Sequence, residues 1–256
     1  MSRRKRTKKQ ARNNRLRLLA ILLVAVGVIL SLFVFFKINT VEVRGTSRYT
    51  DEEIRAAVGL SAGDSLLRFV SSSRERLAEQ KLPYLESVNL KRALPDRLII
   101  EVTQVAHTAV VDCGGSYAVV SYAGKLLEYT AHRPAGTLLL GVPALTEEQP
   151  GSLLTKGTEL ENALAGAAAF EEAGLGDALL LVDAADLLEL KAVYDGRVLV
   201  TIGTVSNLDY KLDMLKEIVL NREAKSFCGV IDLSIAGKGT VRDDADALAA
   251  YSDWIL

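Results

Sequence analysis

The sequence has very few of the residues that build disulfide frameworks and metal sites. It contains two cysteines and two histidines among 256 residues. Cys113 and Cys228 are too few for a disulfide scaffold, so we expect either one bridge between them or two free thiols. His107 and His132 have no metal-ligand spacing to each other or to either cysteine, and we therefore predict no metal site.

Catalytic motifs are equally scarce. We identify neither a Gly-x-Ser-x-Gly nucleophile elbow nor a P-loop. Gly237-Lys238-Gly239-Thr240 follows a predicted strand, but it lacks the upstream glycine of a phosphate-binding loop and is predicted to be a turn. Several aspartates in the C-terminal part have no EF-hand spacing. We therefore predict no catalytic residue and no cofactor, which argues against an enzyme.

The longest apolar run contains no charged residue and extends from Leu18 to Phe36. As a helix it would measure about 28 Å, close to the roughly 30 Å hydrocarbon core of a bilayer. A buried soluble helix would show some polar face, and a cleavable signal peptide would have a shorter apolar region before a small-x-small site. We therefore predict a single uncleaved transmembrane helix over residues 18–36.

Charge is distributed unevenly around that run. Residues 1–17 carry nine Lys and Arg and no acidic residue. Because basic flanks stay in the cytoplasm, we predict a single-pass type II protein of the cell membrane, with a cytoplasmic tail over residues 1–17. The tail would also contact anionic headgroups of the lipid bilayer. A nucleic-acid-binding arm is the alternative, which we disfavour beside a membrane helix, so no nucleic-acid partner is predicted.

The segment after the predicted membrane helix has the pattern of a small α+β module. Val41–Arg44 alternate as a short strand that ends at a glycine. The spacings of Thr50–Glu53 and Ser72–Glu75 are those of capping boxes, which predict the starts of two successive helices. Two alternating strands, over residues 84–92 and 98–102, follow these helices. The predicted order is therefore β-α-α-β-β.

Residues 105–241 are predicted to form a mixed, mainly antiparallel β domain with two helices. Short apolar strands and glycine turns come first, and an alanine-rich helix is predicted over residues 159–172. The Asp195-Gly196 pair between two alternating runs predicts a hairpin, and a second helix follows it. The last predicted strand covers residues 227–235, and residues 242–256 are predicted to be a tail with one short helix. The predicted fold class is therefore α+β.

The order of these motifs resembles a known family. The residues that carry the resemblance are Val41-Glu42-Val43-Arg44-Gly45, Pro83, the Leu94-Pro95 turn, the strand from Leu98 to Val102, and the last strand. Together they resemble the FtsQ family of bacterial cell-division proteins, called DivIB in Gram-positive bacteria. The resemblance implies a POTRA domain over residues 38–104 and an FtsQ-type β domain over residues 105–241.

The resemblance also implies a binding role for the last strand. Its place at the end of the domain suggests a sheet edge, whose unpaired main-chain groups can accept a partner strand. The family is understood to join FtsL and FtsB or DivIC, which are small single-span coiled-coil proteins. The residues to which the resemblance assigns this contact are Val230, Ile231, Asp232, Leu233, Ser234 and Ile235. The alternative is that this strand lies inside the core, and a POTRA edge near residues 41–44 or 98–102 is a candidate for a second partner.

The resemblance, together with the lack of catalytic motifs, implies a non-catalytic scaffold of the cell-division machinery at the division septum. It would bind FtsL-like and FtsB/DivIC-like proteins and other divisome membrane proteins, and would help to regulate septal peptidoglycan synthesis. The alternatives are a membrane-anchored cell-wall enzyme and a POTRA-type transport or secretion component. The first needs a cleft with convergent titratable groups and the second needs tandem POTRA modules, and the sequence indicates neither.

Overall fold

The chain divides into two compact units, Met1–Gln104 and Val105–Leu256. The structure, a computed structural model, describes residues 17–31, 35–145, 148–154, 158–221, 227–235, 237–244 and 246–255. Most of the predicted basic tail over residues 1–17 lies outside the described residues. The two units are therefore described one after the other, beginning with the helix that precedes the first strand.

Helix α1 occupies residues 17–31, and its apolar side chains are exposed. Along the described parts of the chain, none of the helices combines the length and the apolarity needed to cross a membrane. The prediction of a transmembrane helix over residues 18–36 is therefore wrong. The helical run that the structure describes here has 15 residues, fewer than the roughly 20 that a transmembrane helix needs. Residues 32–34 lie outside the described residues.

The first unit has the β-α-α-β-β order that the sequence predicts. Its elements are β1 (Thr40–Arg44), α2 (Asp51–Val58), α3 (Ser71–Lys81), β2 (Leu85–Ala93) and β3 (Arg97–Gln104). The strands form a three-stranded sheet in the order β1-β3-β2, in which β3 is parallel to β1 and antiparallel to β2. The two helices contribute with the sheet to one apolar core, which includes Ile54, Ala78 and Ile100.

The two helices of the first unit begin in different ways. At α2, Thr50 and Glu53 form the predicted capping box. At α3 the predicted box of Ser72 and Glu75 is wrong, because the helix begins at Ser71 without a side-chain cap. The carboxylate of Glu75 instead accepts a hydrogen bond from the main-chain N–H of Leu90 in β2, at 2.7 Å.

The second unit contains one nine-stranded sheet and three helices among its described residues. Its strands are β4 (Thr108–Asp112), β5 (Tyr117–Ser121), β6 (Leu126–Thr130), β7 (Leu138–Gly141), β8 (Leu179–Asp183), β9 (Leu190–Tyr194), β10 (Val198–Gly203), β11 (Gly229–Asp232) and β12 (Thr240–Asp243). Its helices are α4 (Thr158–Glu172), α5 (Leu208–Asn221) and α6 (Ser252–Ile255). The strand order is β12-β11-β10-β9-β8-β7-β4-β5-β6.

Pairing in this sheet is mixed and mainly antiparallel, as predicted. The parallel pairs are β4–β7, β7–β8 and β10–β11, and the other five pairs are antiparallel. The predicted hairpin of β9 and β10 is confirmed. Asp195 and Gly196 both have positive φ values, 53° and 61°, which the type I′ hairpin turn requires.

Helices α4 and α5 contribute to the large core of the second unit. Phe170 and Leu215 are fully buried in it, with side chains of the central strands. A Cβ at Gly166 would lie 3.2 Å from Leu190, so this residue lets α4 approach the sheet closely. Strand β8, which lies in the middle of the sheet, was missed because its apolar run does not alternate.

Candidate functional site: the edges of the two sheets

Open sheet edges are candidate sites for binding a partner, because the outer main-chain groups of an edge strand lack partners within the sheet. The described strands present four edges. Strands β1 and β2 flank the small sheet, and β12 and β6 flank the large one. Whether each edge can accept a strand depends on what already satisfies its outer N–H and C=O groups.

The edge of β2 is closed by two glutamates of α3. Glu79 accepts a hydrogen bond from the N–H of Val88 at 2.9 Å, and Glu75 accepts one from the N–H of Leu90 at 2.7 Å. These carboxylates occupy the donors that an added strand would need. The neighbouring candidate at residues 98–102 is wrong as an edge, because it belongs to β3, which is paired on both sides.

Strand β6 is covered by the segment that follows the β7 strand. Leu126 donates its N–H to the carbonyl of Ser152 at 3.0 Å, and its own carbonyl accepts from Gly151 at 2.8 Å. Lys125 also forms a bridge with Leu153. This edge therefore already has a strand-like neighbour along its first half.

Only the residues just before strand β1 are covered on its outer side. Ile38, just before the strand, exchanges main-chain hydrogen bonds with Asp64 and Gly63 at 2.8 and 2.7 Å. From Thr40 to Arg44, no second described strand pairs with β1 besides β3. The candidate at residues 41–44 therefore does lie on an edge, and its use by a second partner stays a prediction.

Strand β12 is the open edge of the large sheet. It pairs with β11 on one side, and on the other side no strand among the described residues follows it. Thr240, Arg242 and Asp243 are exposed, while Val241 is partly buried against the core. This four-residue strand has more of its length available to a partner than the covered edge at β6.

The predicted contact residues do not form this edge. Val230, Ile231 and Asp232 belong to β11, which β10 and β12 flank on both sides, so the expectation of a terminal edge strand is wrong. The alternative of an internal strand is the one observed. Leu233 is buried and donates its N–H to Thr201 at 2.8 Å.

The last two predicted residues leave the sheet beyond β11. Ser234 donates its N–H and its hydroxyl to the carboxylate of Asp232, at 2.9 and 2.6 Å. Ile235 is exposed. Sequence reasoning missed β12, although the polar-apolar-polar pattern of residues 240–242 after a glycine turn is a signal for a short strand.

Hydrogen bonding in β11 shows which groups of β12 face outward. Gly229, and Leu233 just after β11, donate their N–H groups to the carbonyls of Arg197, just before β10, and of Thr201 in β10. Because opposite residues in an antiparallel ladder alternate between bonded and non-bonded pairs, Val241 and Asp243 turn their main-chain N–H and C=O away from β11. The Arg242 side chain, which is 71% exposed, forms an ion pair with Asp244 at 3.3 Å.

The Gly-x-Ser-x-Gly motif, one histidine and the two cysteines were compared with known catalytic arrangements. Gly59-Leu60-Ser61-Ala62-Gly63 fits the Gly-x-Ser-x-Gly spacing, but it follows helix α2 and not a strand, so it is not a nucleophile elbow. His107 lies 3.4 Å from Glu171 and stacks on Tyr122. Cys113 and Cys228 are free thiols.

A metal site is not observed in the described part of the chain, where no group of three or more His, Cys, Asp or Glu residues could hold an ion. Lys211 is the buried charged side chain with the clearest role, because it donates hydrogen bonds to the carbonyls of Ile202 and Thr204 at 2.9 and 2.8 Å. Burial lowers the pKa of Lys211. The side chain fixes the end of β10 against α5.

Comparison with known proteins shows what this chain is similar to. The family described as POTRA domain, FtsQ-type, matches residues 36–104. Cell division protein FtsQ of Streptomyces griseus is 29% identical over 119 residues, which are 46% of this chain and 56% of that protein. Cell division protein DivIB of Clostridium botulinum is 25% identical over 236 residues, which are 90% of this chain and 91% of that protein.

A third relative, cell division protein FtsQ of Corynebacterium glutamicum, is 23% identical over 207 residues, 80% of this chain and 88% of that protein. The matches to the Streptomyces proteins span about half of the length of those relatives, whereas the matches to the clostridial and corynebacterial proteins span most of it. The order of elements in the first unit and these matches agree with each other. Residues 36–104 thus match an FtsQ-type POTRA domain, and the chain is similar over most of its length to DivIB and FtsQ cell-division proteins.

Proposed function

We propose that this protein is a non-catalytic scaffold of the cell-division machinery at the septum, and that it binds a partner by strand addition to β12. The observation that carries the proposal is the open outer side of this strand. A partner strand would pair with the main-chain groups of Val241 and Asp243. The side chains of the partner strand would lie beside the apolar Val241 and the exposed Arg242, and these neighbours would determine the specificity of binding.

Similarity to FtsQ and DivIB proteins supports small single-span coiled-coil proteins of the FtsL and FtsB/DivIC kinds as partners. In this proposal the six predicted residues from Val230 to Ile235 do not pair with the partner strand directly. Those in β11 hold β12 in register, and Ile235 is an exposed apolar residue beyond the paired segment. Through such partners the scaffold would help to regulate septal peptidoglycan synthesis.

A substitution at Val241 tests the proposal with little damage to the fold. Val241→Pro removes an N–H that points away from β11, and proline is tolerated where the donor of an edge strand faces solvent. Val241→Ala removes the side chain and keeps the N–H, so it is the matched control. We expect the full-length proline variant to lose capture of an FtsB/DivIC-like protein and the alanine variant to keep most of it.

Folding of both variants would be compared by circular dichroism and thermal unfolding. Capture by the proline variant at the wild-type level, with the fold intact, would contradict strand addition at β12.

A further inference from the structure

The chain after β12 folds back across the large sheet. It forms a turn at Asp244, a 3-10 helix over Ala249–Tyr251 and then α6, which contacts β8. Between β12 and β8 the sheet has three intervening strands, so the segment crosses about 19 Å at the usual strand spacing. We refer to residues 246–255 as the strap.

The far end of the strap is fixed by two polar contacts. The hydroxyl of Tyr251 donates to the carboxylate of Asp183, at the end of β8, at 2.9 Å. The guanidinium of Arg133 donates to the main-chain carbonyl of Trp254 in α6. These two contacts join the strap to residues that belong to the sheet and its loops, far from β12 along the strand order.

Arg133 is itself held in place by the body of the unit. Its guanidinium also donates to the carbonyl of Thr137 at 2.8 Å and to that of Leu180 at 3.3 Å. Burial lowers the pKa of Arg133, and burial and the adjacent Asp183 raise that of Tyr251. A hydrogen bond from a charged donor is stronger than one between neutral groups. The contact with Trp254 is exposed, and the bonds of Arg133 to Thr137 and Leu180 hold its donor in place.

Strand β12, in contrast, is held on the sheet by few interactions of its own. It is four residues long, three of them are exposed, and it pairs on one side only. Such a strand frays unless its flanks are fixed. On one flank lies the turn from β11, and on the other lies the strap.

We propose that Arg133 and Tyr251 are positioning residues for the partner edge, because they anchor the strap and the anchored strap keeps β12 on the sheet. The importance of this for partner capture rests on the proposed function, whereas the coupling between anchor and strand does not. The anchor would keep the outer side of β12 in the extended form that a partner strand needs, so that binding costs less ordering.

Residue-resolved hydrogen exchange of the full-length protein, without any partner, tests the coupling. The amides of Thr240 and Arg242 face β11 and report on β12. We expect Arg133→Ala to speed their exchange by about tenfold or more, with little change at Val182 and Ala192 in the central strands. Lys216→Ala is the matched control, because Lys216 in α5 also donates to a carbonyl, that of Ala173, and no hydrogen bond or ion pair found in the described part of the chain joins it to the strap.

A second set of variants distinguishes anchoring of the strap by Arg133 from a general loss of stability. In a variant that ends at residue 245, β12 should already exchange fast, and Arg133→Ala should then change its exchange no further. Tyr251→Phe, which loses only the hydroxyl, should have a smaller effect of the same kind. Unchanged exchange of β12 in Arg133→Ala, or an equal increase throughout the unit, would overturn the proposal, and so would an undiminished effect in the shortened chain.

Measurements of partner capture test whether the anchored strap matters for binding. If the contacts of Arg133 and Tyr251 hold β12 in the extended form before the partner binds, Arg133→Ala should weaken capture of an FtsB/DivIC-like protein. A second change that independently holds β12 on the sheet should then restore capture. Faster exchange of β12 with undiminished capture would overturn the link to the partner, while Val241→Pro tests strand addition separately. The two failures are therefore distinguishable.

Discussion

Replacing Glu75 and Glu79 by alanine should both destabilise the first unit and open the edge of β2. The two carboxylates accept hydrogen bonds from the N–H groups of Leu90 and Val88, at 2.7 and 2.9 Å. A hydrogen bond to a charged group contributes about 1.5–3 kcal/mol, and partial exposure of these glutamates favours the lower end. We expect a loss of about 1–2 kcal/mol for each single variant and about 2–4 kcal/mol for the double variant.

Calorimetry of the full-length protein would measure this loss, with hydrogen exchange used to assign the transition to the first unit. A unit of this size should unfold about 4–8 °C lower for each kcal/mol lost. Glu86→Ala is the matched control, because Glu86 is an exposed glutamate in β2 itself, and we expect a change within about 0.5 kcal/mol. The double variant should also self-associate in sedimentation experiments, since its β2 amides are free to pair.

The result that would refute this reasoning is simple to recognise. If the alanine variants at residues 75 and 79 unfold at the same temperature as Glu86→Ala and stay monomeric, the carboxylates do not close the edge. The comparison of edges that points to β12 would then lose one of its supports.

Two further changes test single contacts in the second unit. Lys211→Met keeps the length of a side chain that is 6% exposed but leaves its two carbonyl acceptors without a donor, so calorimetry should show a loss of about 1–3 kcal/mol. Burial, and secondarily Glu171, raise the pKa of Tyr122 to about 12. An unfolded tyrosine loses its proton near pH 10, so the stabilising effect is complete below about pH 10 and is lost as the pH rises towards about 12. Equilibrium unfolding between these pH values should therefore show a smaller decline for Tyr122→Phe than for wild type.

Local patterns predicted those elements whose causes are local. The capping box of Thr50 and Glu53 involves neighbours in the chain, and the Asp195-Gly196 turn depends on the φ values of two residues. The carboxylate of Glu75 has the same spacing to Ser72, yet it contacts Leu90, which is distant in sequence. A pattern of nearby residues cannot anticipate that competition.

The edge of the large sheet was harder to predict for a similar reason. Strand β8 is a continuous apolar run in the middle of the sheet, where both faces are covered, so it shows no alternation. Strand β12 is short and follows a glycine turn, which makes β11 look terminal in the sequence. The order of motifs indicated the family correctly, but which strand is outermost depends on the pairing of distant segments.

Residue-resolved hydrogen exchange of the protein with and without an FtsB/DivIC-like partner tests the central claim most directly. The amides of Val241 and Asp243 face away from β11 and should exchange fast in the free protein. On binding, strand addition should protect these two amides strongly, and Glu75 and Glu79 should continue to occupy the donors of β2. Stable binding that leaves Val241 and Asp243 unprotected, or that protects β1 instead, would contradict the assignment of β12 as the partner edge.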